Sequence, residues 1–270
     1  MRCIFCKAES SDSRSVEHIL PESLGNTKHV LPKGVVCDKC NNYFAKAVEK
    51  PFLEAGSVRQ LRFDQGVTSK KGRVPTIFGL VDPDIPIQLH RDARDGTISG
   101  AVLPELFGRL SRNETNRILL PIGRSPAQAV TSRFFAKVAI ESIAARLIDN
   151  PPYMDQFVDD LKVEPLRNHA RRGQPARWDV HVRQIYPANA RTVEAGAWRQ
   201  VIHESDFLMT PDEELFFVQA IFGMEFTINV GAPQIDGYLA WLDSHDQASP
   251  LYCPKNLGVY PMPTDADVDG

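Results

Sequence analysis

The chain lacks long apolar runs and the sequence motifs of several large enzyme classes. No apolar stretch in its 270 residues approaches the ~20 residues that a membrane span requires. A Walker loop, a dinucleotide-binding fingerprint, a serine-hydrolase elbow and internal repeats are all absent. These absences exclude membrane-spanning helices, P-loop nucleotide chemistry, nicotinamide-dependent redox chemistry and serine-hydrolase chemistry from the interpretation.

We also expect no secretory leader, because Met1 is followed almost at once by Cys3. A secretory leader would need a basic segment followed by an apolar one. We therefore expect a cytoplasmic protein in a reducing compartment, with no membrane as its partner.

The chain lacks a strong net charge, since its formal charge at pH 7 is -3. The charge is unevenly spread, however: residues 1–75 hold 13 basic and 8 acidic residues, whereas residues 204–270 hold 1 and 12. A basic surface is what phosphate binding requires. We expect nucleic acid at the N-terminal end and a solvated face, a partner face or a DNA-repelling patch at the acidic end.

Cysteine is scarce, yet four of the five cysteines stand in two Cys-x-x-Cys pairs, Cys3/Cys6 and Cys37/Cys40. Four thiolates fill the tetrahedral shell of Zn²⁺ and leave no open position, which is typical of a structural site. Two disulfides or a thioredoxin-like redox motif are the alternatives; a reducing compartment and the closeness of the two pairs disfavour them. Cys253 is expected to be a buried apolar thiol.

The residues around these pairs predict a ββα unit. The first strand is expected at or beside Glu17 and His18, and a second at Val30–Leu31 and Val35–Val36. A helix should begin inside the second cysteine pair and end near Lys50, because Pro51 follows it.

The N-terminal motifs occur in a fixed order: Cys3-x-x-Cys6, Glu17-His18-Ile19, Pro21, Leu24-Gly25 and Cys37-x-x-Cys40-Asn41. This series resembles the HNH endonuclease motif of the ββα-metal (His-Me finger) superfamily, and its layout is similar to the zinc-bearing recombination endonuclease VII type. The resemblance covers about residues 1–55. It implies a phosphodiester hydrolase that acts on DNA, with RNA left open.

The resemblance also implies roles for individual residues. His18 would be the general base that takes a proton from the attacking water, while Glu17 and Asn41 would hold one Mg²⁺ or Mn²⁺ at the scissile phosphate. Oxygen ligands suit such hard cations, and imidazole is a competent base at neutral pH. Asn42 is the alternative ligand if the register shifts by one, and helix capping is the structural alternative for Asn41.

The sequence departs from the family pattern in three places. Glu17 stands where aspartate is commoner, which lengthens the reach to the metal by one methylene. The middle asparagine that braces the loop has no match at its expected place, so Asn26 is taken instead, with His29 behind it. Phe44 stands where a lysine is frequent, and Lys46 is expected to take that duty.

Basic residues supply the candidate nucleic-acid contacts, and a solvated charge is the alternative for each of them. They are Lys33, Lys39, Lys46, Lys70, Lys71, Arg171 and Arg172.

The chain is expected to contain an HNH domain at 1–56, a linker or basic loop at 57–73, an α+β accessory domain at 74–250 and a Pro/Asp-rich tail at 251–270. Short strands flank one long predicted helix, Ser125–Asp149, whose apolar residues recur at helical spacing. The pattern predicts a mainly antiparallel sheet packed on this helix, and an α+β class for the whole chain.

Two function classes stay open at this point. The first is the metal-dependent endonuclease, and the second is a non-catalytic zinc module that binds nucleic acid or protein. Because one ββα site cuts one strand, we expect a homo-oligomer or a subunit of a larger complex assembled through the C-terminal domain. A further hypothesis makes the protein the effector of a bacterial defence or mobile-element system.

Overall fold

The computed structural model describes residues 1–81, 85–101, 104–112, 117–121, 123–194 and 197–252. All strand pairs in these ranges are antiparallel, and strands and helices mostly follow one another in separate runs, which confirms the α+β class. The chain divides into two compact units, Met1–Trp178 and Asp179–Gly270. Cys253 and residues 254–270 of the predicted tail lie outside the described residues.

Unit 1 begins with the predicted strand pair. Strand β1, Glu17–His18, pairs with β2, Val30–Leu31, so that Glu17 faces Leu31 across the ladder. The prediction that Val35–Val36 continues the second strand is wrong, because these residues form a bend. Both of their apolar side chains are buried. Their β-branched character therefore reflects burial between the cysteine pairs and not strand pairing.

A helical segment follows the second cysteine pair. It consists of α1, Asp38–Phe44, a π-helical turn, Ala45–Glu49, and α2, Lys50–Glu54. The thiol sulfur of Cys37 caps its first turn by accepting the Cys40 N–H at 3.4 Å.

The predicted helix end at Pro51 is wrong. The N–H of Lys50 bonds to the carbonyl of Ala45, five residues back, and Pro51 lies in the first turn of α2. The wider π turn shifts the hydrogen-bond pattern just before proline, which has no N–H to contribute. The helical segment therefore runs four residues beyond Lys50.

A four-stranded sheet and two helices come next. Helix α3, Gly56–Asp64, takes up the beginning of the segment predicted as a linker or basic loop. The sheet strands and the helix between them are β3, Ile77–Val81, β4, Ile85–Arg91, β5, Ile98–Ala101, α4, Pro104–Ser111, and β6, Ile118–Leu119. The strands lie in the order β5-β4-β3-β6 in the sheet. Phe63 of α3 and Leu106 of α4 pack against the buried face of β3 and β4.

Three helices complete unit 1: α5, Gln128–Leu147, α6, Pro151–Asp159, and α7, Glu164–Arg172. The long helix α5 packs mainly against α7, α6 and residues 45–54, so its principal partners are helices, whereas a sheet was predicted. The ring of Phe134 stacks on that of Phe52 at 4.1 Å between centroids. Because α5 is buried on several faces, its charged residues Lys137 and Glu141 lie inside the core. Within the described ranges, no helix combines the length and apolar character needed to cross a membrane.

Unit 2 contains a second antiparallel sheet with one helix. Its elements are β7, Val180–Gln184, β8, Arg191–Glu194, β9, Ala197–Gln200, β10, His203–Met209, β11, Leu215–Ile221, β12, Met224–Asn229, and α8, Asp236–Asp243. The strands of the sheet lie in the order β10-β11-β12-β7, whereas β8 and β9 form a separate two-stranded pair. Phe216 and Val218 of β11 pack with Tyr238 and Leu242 of α8. Gly223 links β11 to β12 with a φ of 78°.

Candidate active site and zinc centre

The two cysteine pairs meet at one point. Their four sulfur atoms lie within 4.8 Å of one another. The Cys6 and Cys37 sulfurs are 3.6 Å apart, and the four described cysteines of this cluster form no disulfide. A tetrahedral Zn²⁺ with bonds of about 2.3 Å would space its sulfurs at about 3.8 Å, so this donor set fits one zinc ion. A hydrogen bond from Cys40 lowers the pKa of the Cys3 thiol to about 4, which favours a thiolate in the cluster.

A cleft of about 410 Å³ opens beside β1 and α1. It brings together the predicted acid Glu17, the predicted base His18 and the predicted ligand Asn41, with Lys70 and Lys71 also in its wall. The remaining lining residues are Val16, Pro21, Glu22, Ser23, Ala45, Glu49, Leu53 and Ser69.

Glu17 is only 4% exposed although it lines this cleft. Its Oε1 lies 2.8 Å from the ammonium nitrogen of Lys137, whereas its Oε2 is buried without a hydrogen-bond partner in the described part of the chain. Burial raises the pKa of Glu17, and the positive charge of Lys137 opposes that shift. A buried unpaired carboxylate oxygen is costly, so Oε2 fits the role of a cation ligand.

One ring nitrogen of His18, Nε2, has a side-chain partner. Its Nε2 lies 3.2 Å from Oε1 of Glu22, and the other oxygen of Glu22 lies 4.0 Å from the ammonium of Lys70. Nδ1 is buried and has no hydrogen-bond partner among the described residues. With its proton placed on Nε2 to satisfy Glu22, His18 carries its lone pair on Nδ1.

Asn41 lies in the first turn of the helical segment, directly after Cys40. Its side-chain Nδ2 donates to the carbonyl of Val16 at 3.0 Å, one residue before Glu17. This bond does not use the amide oxygen, which is the atom that a hard cation would bind. The alternative ligand Asn42 is exposed and does not line the cleft.

Asn26 lies outside the cleft lining and braces the loop between β1 and β2. It is 1% exposed, and its amide group donates to the carbonyls of Leu20 and His29 at 2.7 and 2.9 Å. Its oxygen accepts the backbone N–H groups of Lys28 and His29 at 3.1 and 2.9 Å. This is the duty expected of the middle asparagine. His29 contributes only its backbone to these bonds.

The other predicted contact residues lie away from the cleft lining. Lys33, Lys39, Lys46 and Arg172 are exposed, and Arg171 is partly buried with a bond to the carbonyl of Phe5 at 3.4 Å. Phe44 is fully buried, and its ring lies 4.4 Å from that of Phe5. The structure therefore explains the aromatic residue at this position by packing beneath the zinc centre.

Sequence reasoning missed a buried charge cluster next to the cleft. The ammonium of Lys137, 0% exposed, contacts carboxylate oxygens of Glu17, Glu49 and Glu141 at 2.8, 2.8 and 2.9 Å. Burial opposes the charge of Lys137, but the three carboxylates raise its pKa well above the ordinary value. Burial also raises the pKa of Glu141. The sequence signal was the charged pair at 137 and 141, one turn apart in an apolar helix.

Comparison with known families supports this interpretation of the N-terminal residues. Residues 3–55 match a family model described as HNH endonuclease. The matched segment contains both cysteine pairs as well as Glu17, His18 and Asn41. Searches of curated proteins and of solved structures gave no match.

Proposed function

Because residues 3–55 form an HNH endonuclease domain with a cysteine cluster suited to zinc, we propose that the protein is a metal-dependent endonuclease. Its substrate is nucleic acid, with DNA as the expected form and RNA as the alternative. The observation that carries the proposal is the convergence of Glu17, His18 and Asn41 on one cleft, next to the helix that the cysteine cluster caps.

His18 is the general base in this proposal. The Nε2–H of His18 donates a hydrogen bond to Glu22, which orients the ring and leaves Nδ1 to take a proton from the attacking water. A positioned imidazole of this kind contributes about 10²–10⁴-fold to a hydrolytic rate.

Glu17 and Asn41 would hold the divalent cation, Mg²⁺ or Mn²⁺. The buried, unpaired Oε2 of Glu17 and the amide oxygen of Asn41 are both hard oxygen donors. When bound, such a cation stabilises negative charge on the phosphate. The four-cysteine cluster has no open position and serves folding alone.

Among the predicted nucleic-acid contact residues, Lys70 and Lys71 are the two that line the cleft. Both are exposed and line the cleft with the acid and the base, so they can neutralise phosphates on either side of the scissile bond. Replacing both with alanine should weaken nucleic-acid binding and flatten its salt dependence.

The experiment that tests the proposal compares the wild type with His18→Ala on plasmid and oligonucleotide substrates, with and without Mg²⁺. His29→Ala is the matched control, because its exposed ring lies outside the cleft lining. We expect Mg²⁺-dependent cutting that His18→Ala loses and His29→Ala keeps, with one zinc per chain in all three proteins.

Full cutting by a folded, zinc-loaded His18→Ala would refute the assigned base. Binding without cutting by every protein would support the non-catalytic zinc module instead. Oligomeric state and the role in a defence or mobile-element system stay predictions from the sequence.

A further inference from the structure

The buried ammonium of Lys137 comes from α5, more than 80 residues beyond the HNH match at 3–55. The Lys137 ammonium nitrogen contacts the carboxylates of Glu17, Glu49 and Glu141. The same nitrogen lies 3.3 Å from the backbone carbonyl oxygen of His18. One group therefore contacts both members of the acid–base pair on β1.

Lys137 does not line the cleft, and none of its surface is exposed. It cannot touch a nucleic acid without a rearrangement of the core. Its effect on the reaction must therefore pass through Glu17 and the β1 backbone, which makes it a candidate positioning residue and not a catalytic one.

A purely structural role explains the cluster poorly. Buried ion pairs carry a large desolvation cost, and apolar residues of similar volume often replace them without loss of stability. Contact between α5 and α2 is already provided by the stacked rings of Phe52 and Phe134. The charged cluster is better explained by what it does to Glu17.

The contact with Lys137 gives the two carboxylate oxygens of Glu17 different surroundings. Lys137 fixes Oε1 at 2.8 Å, so that Oε2, which is buried and has no partner among the residues described, is the oxygen left for a cation. The carboxyl groups of Glu17, Glu49 and Glu141 share this one ammonium. A divalent cation at Oε2 would add positive charge to a site that holds more carboxyl groups than ammonium groups.

We propose that Lys137 is the positioning residue of the nuclease site, which orients Glu17 and anchors the backbone of His18 from a helix outside the HNH domain. This inference rests on the proposed function, because it assigns Lys137 to that same site. Partners of metal-binding carboxylates typically contribute 10–100-fold to metal affinity or activity.

The test uses the full chain with the double variant Lys137→Met/Glu141→Gln. This variant removes the ammonium together with its fully buried partner, so that Glu141 is not left as a buried carboxyl group without Lys137. The control is Arg167→Met/Glu164→Gln, which removes another ion pair of unit 1, at 3.2 Å in α7 and away from the cleft lining. Zinc content and circular dichroism report folding.

Two readouts separate the proposal from a structural role. The first is kcat for plasmid cleavage at saturating Mg²⁺. The second is Mn²⁺ affinity without nucleic acid, with Glu17→Gln identifying the site. We expect the double variant to fold with one zinc and to lose about 10–100-fold in both readouts, while the control matches the wild type. Wild-type values in a folded double variant would overturn the proposal.

A second variant, Glu49→Gln, covers the case in which the double variant does not fold. Glu49 is partly exposed and contacts Lys137. Replacing it with glutamine does not remove either partner of the contact between Lys137 and Glu17. Because Glu49 lines the cleft and adds a carboxylate near Glu17, we expect Mn²⁺ affinity to fall, but by much less than in Glu17→Gln. A loss as large as that of Glu17→Gln would make Glu49 a ligand and overturn the proposal.

The wild type distinguishes failure of this inference from failure of the proposed function. If the wild type binds Mn²⁺ at Glu17 but cuts no nucleic acid, the proposed nuclease function is refuted. The positioning role of Lys137 is then still tested by the Mn²⁺ affinity of the double variant. A wild type that neither cuts nor binds Mn²⁺ at Glu17 would overturn both.

Discussion

Replacing Asn26 with alanine should destabilise the loop between β1 and β2. The side chain makes four hydrogen bonds to backbone groups of this loop and is 1% exposed. Alanine cannot make any of them, and the carbonyl of Leu20 would lose this partner, whereas the carbonyl of His29 would keep the N–H of Ile19 at 3.1 Å. The variant therefore tests whether Asn26 braces the loop.

The magnitude follows from how well water can replace each partner. A typical hydrogen bond contributes about 0.5–1.5 kcal/mol, and a buried group left without a partner costs about 1–3 kcal/mol. The bond to Leu20 is buried, whereas the N–H groups of Lys28 and His29 belong to exposed residues that water can reach. We expect the free energy of unfolding to fall by about 2–4 kcal/mol.

The assay is urea denaturation of the zinc-loaded protein, followed by a signal from unit 1. Asn42→Ala serves as the control, since Asn42 is exposed on the helix of the same domain, and such a change usually stays within about 0.5 kcal/mol. A fall of less than about 1 kcal/mol for Asn26→Ala would refute the bracing role.

Three further predictions concern the zinc, a histidine and a glycine. Chelation of zinc should unfold the N-terminal domain, because structural zinc contributes on the order of 10 kcal/mol to such modules; loss of far-UV dichroism on chelation measures this, and an unchanged spectrum would contradict it. His169 forms hydrogen bonds with Ser132 and with the carbonyl of Pro175, and burial lowers its pKa. The neutral ring stabilises the fold, so this contribution should decline as the pH falls below about 6.5. The free energy of unfolding, measured at pH 7 and pH 5.5, should depend less on pH in His169→Gln than in the wild type. Gly223→Ala should destabilise unit 2 by at least about 1 kcal/mol, because φ is 78° and a Cβ would lie 2.0 Å from the Tyr186 carbonyl oxygen. Gly231→Ala, whose nearest contact is 3.8 Å away, is its denaturation control and should change little.

The N-terminal site could be predicted because its constraints are local in sequence. The spacing of the cysteine pairs reflects the geometry of one tetrahedral ion, and the four sulfurs do meet within 4.8 Å. The short strands at Glu17 and Val30 and the helix after Cys37 follow from residues close by. Asn26 was chosen for its position alone, and its four bonds explain why an asparagine suits it.

The rest depended on interactions that local patterns do not contain. Pro51 predicted a helix end, but the π turn before it lets the helix continue. The apolar stripe of α5 predicted a core without identifying the helices that cover it. Lys137 in particular looks like an ordinary surface lysine until the opposing carboxylates of Glu17 and Glu49 are in place.

The placement of Lys137 bears on how the N-terminal domain can be separated from the rest of the chain. A fragment of residues 1–56 transplanted into a chimaera would carry the four cysteines, the predicted acid, the predicted base and Asn41, yet it would leave the counter-cation of Glu17 behind on α5. Glu17 and Glu49 would then lack the positive charge that they share. A fragment that keeps this contact therefore includes α5, and a shorter fragment needs a lysine from the new scaffold.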